Sequence, residues 1–303
     1  MLRAARSLPN TTRIDNYVIS KTLSRGGFSY VYLAKDADSG KPVILKEYMP
    51  SKLATRNRDM SVIARNGKTI EHFTHGRKLF LQEARALAEL KHPNIVNVLN
   101  FFTANGTAYI AMKYEKGHNL HGYIKKHNGF LSEQFMLTVF PQLLNGLKMI
   151  HETGFLHLDI KPGNVHLRPG GSPLLLDFGA VHQIMQTRSS LITQVITPGF
   201  SPIEQYNNKG YVGPWTDIYA VGATMRSCID HKPPMAAIER YENDTMKPAV
   251  EAYQKKYSPE LLKAIDWAME VDPELRPQSV SALLEVMPVL PASNQQPSAG
   301  TGS

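Results

Sequence analysis

A single cysteine, Cys228, occurs in 303 residues, which rules out an internal disulfide and fits a reducing, cytoplasmic setting. No apolar run approaches the roughly 20 residues a helix needs to cross a bilayer, so no membrane span is expected. The basic start, MLRAARSLPNTTR, lacks the apolar centre of a secretory signal. Residues 1–14 therefore read as a flexible tail. Positive charge is in excess, 34 Lys and Arg against 26 Asp and Glu for a net +8. It is spread along the chain and forms no stripe interleaved with aromatics, so no nucleic-acid partner is expected. Internal repeats are absent too. Hydrophobic residues make up 42% and charged residues 20%, the balance of a globular chain.

Segments rich in β-branched and aromatic residues come first. Tyr17–Leu23, Phe28–Lys35 and Pro42–Tyr48 read as strands joined by glycine-containing turns. Residues 49–75 read as polar and irregular. Apolar spacing then predicts a helix over His75–Leu90, ended by His92-Pro93-Asn94. Two further strands, Ile95–Phe102 and Thr107–Tyr114, follow around Asn105-Gly106. Beyond Gly117 the pattern turns helical: Ser132 caps a helix to about Thr153, and Trp215–Cys228, Pro259–Glu270 and Pro277–Val286 are further candidates. From Pro291 the composition is that of a disordered tail or linker. The outline is α+β: residues 15–114 strand-rich, residues 118–290 mainly helical, with a hinge near 112–117.

The chemistry lies in five short segments. Leu23-Ser24-Arg25-Gly26-Gly27-Phe28-Ser29-Tyr30-Val31 lies between the first two strands, where side-chain-free glycine lets backbone approach a phosphate. Lys46 sits on the third strand, where a fixed cation can pair with phosphates if a carboxylate orients it; Glu83 on the following helix is the natural partner. Residues 157–164 read His-Leu-Asp-Ile-Lys-Pro-Gly-Asn. In this segment Asp159 can accept a hydroxyl proton and Lys161 can neutralise a transferring phosphoryl group. Asn164 and Asp177, the latter in Asp177-Phe178-Gly179, offer hard oxygens suited to Mg²⁺.

Taken together, these segments resemble the eukaryotic-type Ser/Thr protein kinase family, in its bacterial branch, over roughly residues 15–290. The resemblance implies a bilobal kinase fold with a β-rich N-lobe and a mainly helical C-lobe, using ATP with Mg²⁺ (or Mn²⁺) and acting on Ser/Thr hydroxyls of proteins, its own included. It makes Asp159 the catalytic base, Lys161 the phosphate-stabilising residue, Asn164 and Asp177 the metal ligands, and Lys46 with Glu83 an ion pair. It lines the nucleotide site with Leu23, Ser24, Gly26, Gly27, Phe28, Ser29, Val31, Ile44, Met112, Tyr114 and His166. It also makes Glu204 and Arg276 a buried pair, Asp217 a holder of the catalytic loop, and Thr197 a seat for the hydroxyl substrate. The alternative reading is a pseudokinase scaffold or nucleotide-binding regulatory module.

Several positions depart from the family pattern. Ser24 and Ser29 replace glycines, Ile44 replaces a small alanine, and His166 occupies an apolar floor position. The interval from Lys46 to Glu83 is long. Its extra segment, 50–72, reads as a hairpin over the N-lobe: a solvated insertion or, in a sharper reading, a surface for a regulatory partner. Leu158 stands where many members carry an arginine that pairs with a loop phosphate. Phosphorylation of the loop hydroxyls should therefore not be needed through that route. Replacing Thr187, Ser189, Ser190 and Thr193 together by alanine is expected to leave phosphoryl transfer largely intact. A loss of several orders of magnitude in a labelled-ATP assay would refute this.

Overall fold

The computed structural model describes residues 7–127, 131–176, 182–183, 196–207 and 211–290. The chain forms two compact units. The first runs to Lys91 and includes Val96–Glu115; the second comprises His92–Ile95 and the chain from Lys116. Among the described residues no helix is long and apolar enough to cross a membrane.

The first unit contains β1 (Arg13–Ile14), β2 (Tyr17–Arg25), β3 (Ser29–Asp36), β4 (Pro42–Tyr48), the pair β5 (Ala54–Arg56) and β6 (Val62–Ala64), helix α1 (Ile70–Glu89), β7 (Val98–Ala104) and β8 (Thr107–Lys113). Six strands form one antiparallel sheet in the order β1-β2-β3-β4-β8-β7, and β5 and β6 pair separately. Side chains alternate between the faces of a strand, so β4 sends Lys46 and Tyr48 one way and Glu47 the other. Helix α1 covers the Tyr48 side, with Tyr48 stacked on Phe73 and tilted against Phe80 at ring distances of 5.6 and 5.5 Å. Gly76 permits this approach, since a Cβ there would lie 2.1 Å from the Tyr48 hydroxyl. On the other side Tyr17, Phe102 and Tyr109 form a continuous stack. The β7–β8 turn uses Asn105 and Gly106 at positive φ, 52° and 75°, as a tight hairpin turn requires. A Cβ on Gly106 would lie 2.3 Å from the Val62 carbonyl oxygen.

Local chemistry accounts for the differences from the sequence expectations. Residues 7–14 are not a free tail. Leu8 is 2% and Ile14 6% exposed, the Leu8 N–H donates to the Tyr32 hydroxyl at 3.2 Å, and β1 pairs with β2. Two buried apolar side chains anchor a segment whose other residues stay exposed or partly exposed and whose composition looks tail-like. Segment 49–75 is not wholly irregular: β5 and β6 form a hairpin within it. Helix α1 begins at Ile70, after a short turn in which the Asn66 N–H donates to Thr69 Oγ1. Strand β7 begins at Val98 because Ile95 bridges Leu175 of the second unit instead. The last helix starts at Val280, where Ser279 accepts from the Ala282 N–H, so Pro277 precedes it.

The second unit contains β9 (His118–Asn119), α2 (Leu120–Lys126), α3 (Glu133–Glu152), β10 (Phe155–Leu156), β11 (Val165–Leu167), β12 (Pro173–Leu175), β13 (His182–Gln183), α4 (Ile203–Tyr206), α5 (Pro214–Asp230), α6 (Ala237–Asn243), α7 (Ala249–Tyr253), α8 (Pro259–Ala268) and α9 (Val280–Val286). Ser132 caps α3 by accepting from the Phe135 N–H. Met136, Val139, Phe140, Leu143, Leu144, Leu147 and Ile150 make its buried stripe, the i, i+3, i+4 pattern of a helix with one core face. Helix α5 is buried from Thr216 through Ile229 and forms the centre of the unit. Burial pushes the Cys228 thiol well up, so it is inert packing rather than a nucleophile. The short helices α2, α4, α6 and α7 offer too few turns for their period to be readable from sequence.

Glu204 of α4 and Arg276 are bound across the unit. Arg276 Nη1 and Nη2 donate to the two Glu204 oxygens at 2.8 and 3.1 Å. Its remaining donors reach the carbonyls of Glu270 and Val271, and the guanidinium lies 4.8 Å from the Tyr219 ring centre. Truncating one partner strands a buried charge. Arg276→Ala is therefore expected to cost about 3–5 kcal/mol, read as a lower urea midpoint; a loss under ~1 kcal/mol would mean that the pair is not a structural clamp.

Candidate active site

The loop 157–164 depends on a carboxylate beneath it. Asp217 lies in the first turn of α5, fully buried. Its oxygens accept from the His157 N–H (2.8 Å), the Leu158 N–H (2.7 Å) and His151 Nε2 (2.8 Å). Burial pushes its pKa up, but the His151 hydrogen bond and the neighbouring His151 and His157 rings outweigh this and hold it below the usual carboxylate range; the first turn of a helix favours negative charge as well. Leu158 has φ +59°, a left-handed conformation costly for a residue with a bulky side chain. It persists because its N–H binds Asp217 and its carbonyl accepts from Gln205 Nε2 at 3.0 Å. The Leu158 side chain is 3% exposed, so an apolar residue fills the place where the family often puts arginine. The His157 ring is held at both nitrogens: Nδ1 lies 3.3 Å from the Asp159 amide nitrogen and Nε2 3.1 Å from the Leu176 carbonyl oxygen.

This frame presents Asp159. Lys161 Nζ donates to both of its oxygens, at 2.7 and 2.8 Å. Asn164 Nδ2 donates to the Asp159 carbonyl at 2.8 Å and to Oδ2 at 2.9 Å. Thr197 Oγ1 donates to Oδ1 at 3.0 Å and accepts from Lys161 at 3.2 Å. Sequence-distant Thr197 thus joins Asp159, Lys161 and Asn164 in one cluster, in which Asn164 is buried and the other three are partly exposed. Because the Asn164 amide nitrogen is committed to Asp159, its carbonyl oxygen is the atom left for a cation. His166 sits on β11 opposite Asn119 and Leu174, with a buried Nε2 that has no hydrogen-bond partner among the described residues.

The first unit carries the other set. Lys46 is 5% exposed and its Nζ lies 5.7 Å from the centre of the Phe80 ring on α1. Glu83, half-buried, follows one turn along the same helix. Cross-strand pairing sets Val31 against Lys46 and Ile44 against Met112, so all four lie on one face of the sheet. Leu23 and Phe28 are about half exposed (47% and 48%) at the β2–β3 loop. Ser24 pairs with Val31 beyond a register shift. Gly26 donates its N–H to the Ser29 carbonyl, and Gly27 is exposed. Tyr114 is partly exposed after β8.

Asp177 with Phe178 and Gly179, and the hydroxyls Thr187, Ser189, Ser190 and Thr193, lie outside the described residues, as does the tail from 291. Sequence reasoning missed His151 and Gln205, which hold the loop by side chain. The only sequence sign of His151 was its place at the end of the long helix. A depressed pKa makes the stabilisation by Asp217 complete above the ordinary carboxylate value and lost as pH falls through the folded value. The wild type should therefore lose stability below about pH 4, and Asp217→Asn should start lower but show a shallower acid slope. Urea unfolding across that range checks this; parallel slopes would contradict it.

The protein kinase domain family matches residues 17–286. Serine/threonine-protein kinase D of Synechocystis is 30% identical over 299 residues, covering 95% of this chain and 55% of that protein. Serine/threonine-protein kinase Nek5 of Homo sapiens is 29% identical over 281 residues, covering 90% of this chain and 36% of that protein. The chain thus spans about half, or less, of the length of these curated relatives. The solved apo form of PpkA-294 is 36% identical, with a TM-score of 0.81, covering 93% of this chain and 99% of that one. With its α+β architecture, its Asp159 cluster and a family match across almost all of its described length, this chain belongs to the protein kinase family.

Proposed function

We propose that the chain transfers the γ-phosphoryl group of ATP to Ser and Thr hydroxyls of proteins, its own among them. The observation that carries this is the Asp159 carboxylate, bound at once by Lys161, Asn164 and Thr197. That an aliphatic hydroxyl, Thr197, already donates to Asp159 Oδ1 at 3.0 Å supports a substrate hydroxyl in the same neighbourhood. As the hydroxyl oxygen bonds to phosphorus and the bond to the departing ADP oxygen breaks, Asp159 takes the hydroxyl proton. Lys161 bridges Asp159 and Thr197, and from there it balances charge developing on the transferred group.

The residues fit the nucleotide and cation. Asn164 would supply a hard carbonyl oxygen and Asp177 a carboxylate, the oxygen chemistry Mg²⁺ prefers and Mn²⁺ tolerates. When bound, the metal offsets the charge of the phosphate chain. Lys46, desolvated beside Phe80, presents a cation that water screens poorly. The Leu23–Val31 loop would approach the phosphates, and Ile44, Met112, Tyr114 and His166 would face the base. Ile44 is bulkier than the alanine usual at its position, and His166 more polar than the usual apolar residue at its own. Labelled ATP with the protein alone and with a basic protein substrate tests the reading. Asp159→Asn is expected to cut transfer by about 10²–10⁴-fold; equal label in wild type and variant would overturn it.

A further inference from the structure

The segment between β4 and α1 works inward on the phosphate-facing loop. We propose that the β5–β6 insert is a splint for the β2–β3 loop, with Arg65 as its positioning residue. The inference rests on the nucleotide reading above for its kinetic consequence, but not for its structural one.

Two chains of bonds carry it. In the first, Arg65 Nε donates to the Ser51 carbonyl at 2.8 Å, and the Arg65 N–H donates to the Leu53 carbonyl at 2.9 Å. The Ser51 N–H in turn donates to the Gly27 carbonyl, and the Met49 N–H to the Phe28 carbonyl, both at 2.8 Å. The tip of the loop is thereby tied by its own backbone to residues 49–51, which Arg65 clamps from the far end of the insert. In the second, Arg56 Nη2 reaches Glu47 Oε2 at 2.5 Å. The Tyr32 and Tyr109 hydroxyls donate to the same carboxylate at 2.8 and 2.5 Å. The side chains of Arg56 and Glu47 are 2% and 0% exposed. Burial and the adjacent carboxylate push both phenols well up, so they remain donors. The turn of the insert is held too, by the Asn105 side chain on the Met60 carbonyl and the Val62 N–H on the Asn105 carbonyl. The insert therefore grips β4 next to Lys46, the β7–β8 turn and the residues that hold the loop. A glycine-rich loop works by being free to close on phosphate; here Ser24 and Ser29 already reduce that freedom, and the tether sets the loop's resting position instead. Such pre-ordering lowers the entropy lost when phosphate binds.

Arg65→Ala removes the clamp while leaving the buried Arg56–Glu47 pair intact, and Arg65→Lys retains a donor. In Arg65→Ala, KM for ATP is expected to rise about tenfold with kcat little changed, as loss of one charge-assisted bond that acts on binding would give; Arg65→Lys should recover most of it. Hydrogen exchange at the Met49 and Ser51 amides, read without nucleotide, should accelerate in Arg65→Ala and return towards wild type in Arg65→Lys. Unchanged exchange and KM in a folded Arg65→Ala protein would overturn the splint. If the wild type transfers no phosphate but exchange behaves as stated, the proposed function fails and the splint stands.

Discussion

The buried carboxylate of Asp217 is the constraint on which the site rests. One side chain at the start of α5 accepts from two consecutive loop amides and a histidine. That keeps Leu158 at a φ it would otherwise abandon. The turn at Leu158 aims Asp159 at Lys161, Asn164 and Thr197. Such strain is tolerated only where surrounding bonds over-determine the backbone, and here both polar groups of Leu158 are held. The desolvation Asp217 suffers is offset by three donors and a helix terminus, so it remains ionised where an unaided buried carboxyl would not.

The same logic recurs at two other buried carboxylates. Glu204 is neutralised by a two-pronged Arg276, and Glu47 by Arg56 with two phenols. Each lies where chain segments far apart in sequence must meet: α4 with the 270–276 turn, β4 with the insert. A buried ion pair adds little net stability compared with an apolar pair, but it penalises every arrangement that leaves one charge alone. These pairs therefore act chiefly to make single geometries obligatory, which suits a site whose residues come from many separate elements.

Legibility followed sequence distance. The tight pattern around Asp159, Lys161 and Asn164 could be read directly, because their spacing lets one short loop deliver all three. That Lys46 lies on a strand and Glu83 on a helix was readable from local pattern, and Ser132 from its cap. The hairpin at 54–64 was harder to place, since its strands have three residues each and are stabilised by contacts with Glu47, Ser51 and Asn105 rather than by periodicity. Residues 7–14 misled for the opposite reason: their composition is tail-like, and only the burial of Leu8 and Ile14 and the pairing of β1 with β2 give them a place.

The sequence by itself determined the protein kinase family, the α+β class and the residues of the Asp159 loop, because those follow from local spacing and hydrophobic period. Tertiary structure alone decided that Thr197 joins Asp159, that His151 and Gln205 hold the loop, that Leu158 is buried in a left-handed turn, and that the insert is bound to the loop at Gly27. These outcomes depend on hydrogen bonds between residues far apart in the chain. Such bonds leave no periodic trace in sequence, since either partner alone is an ordinary polar residue.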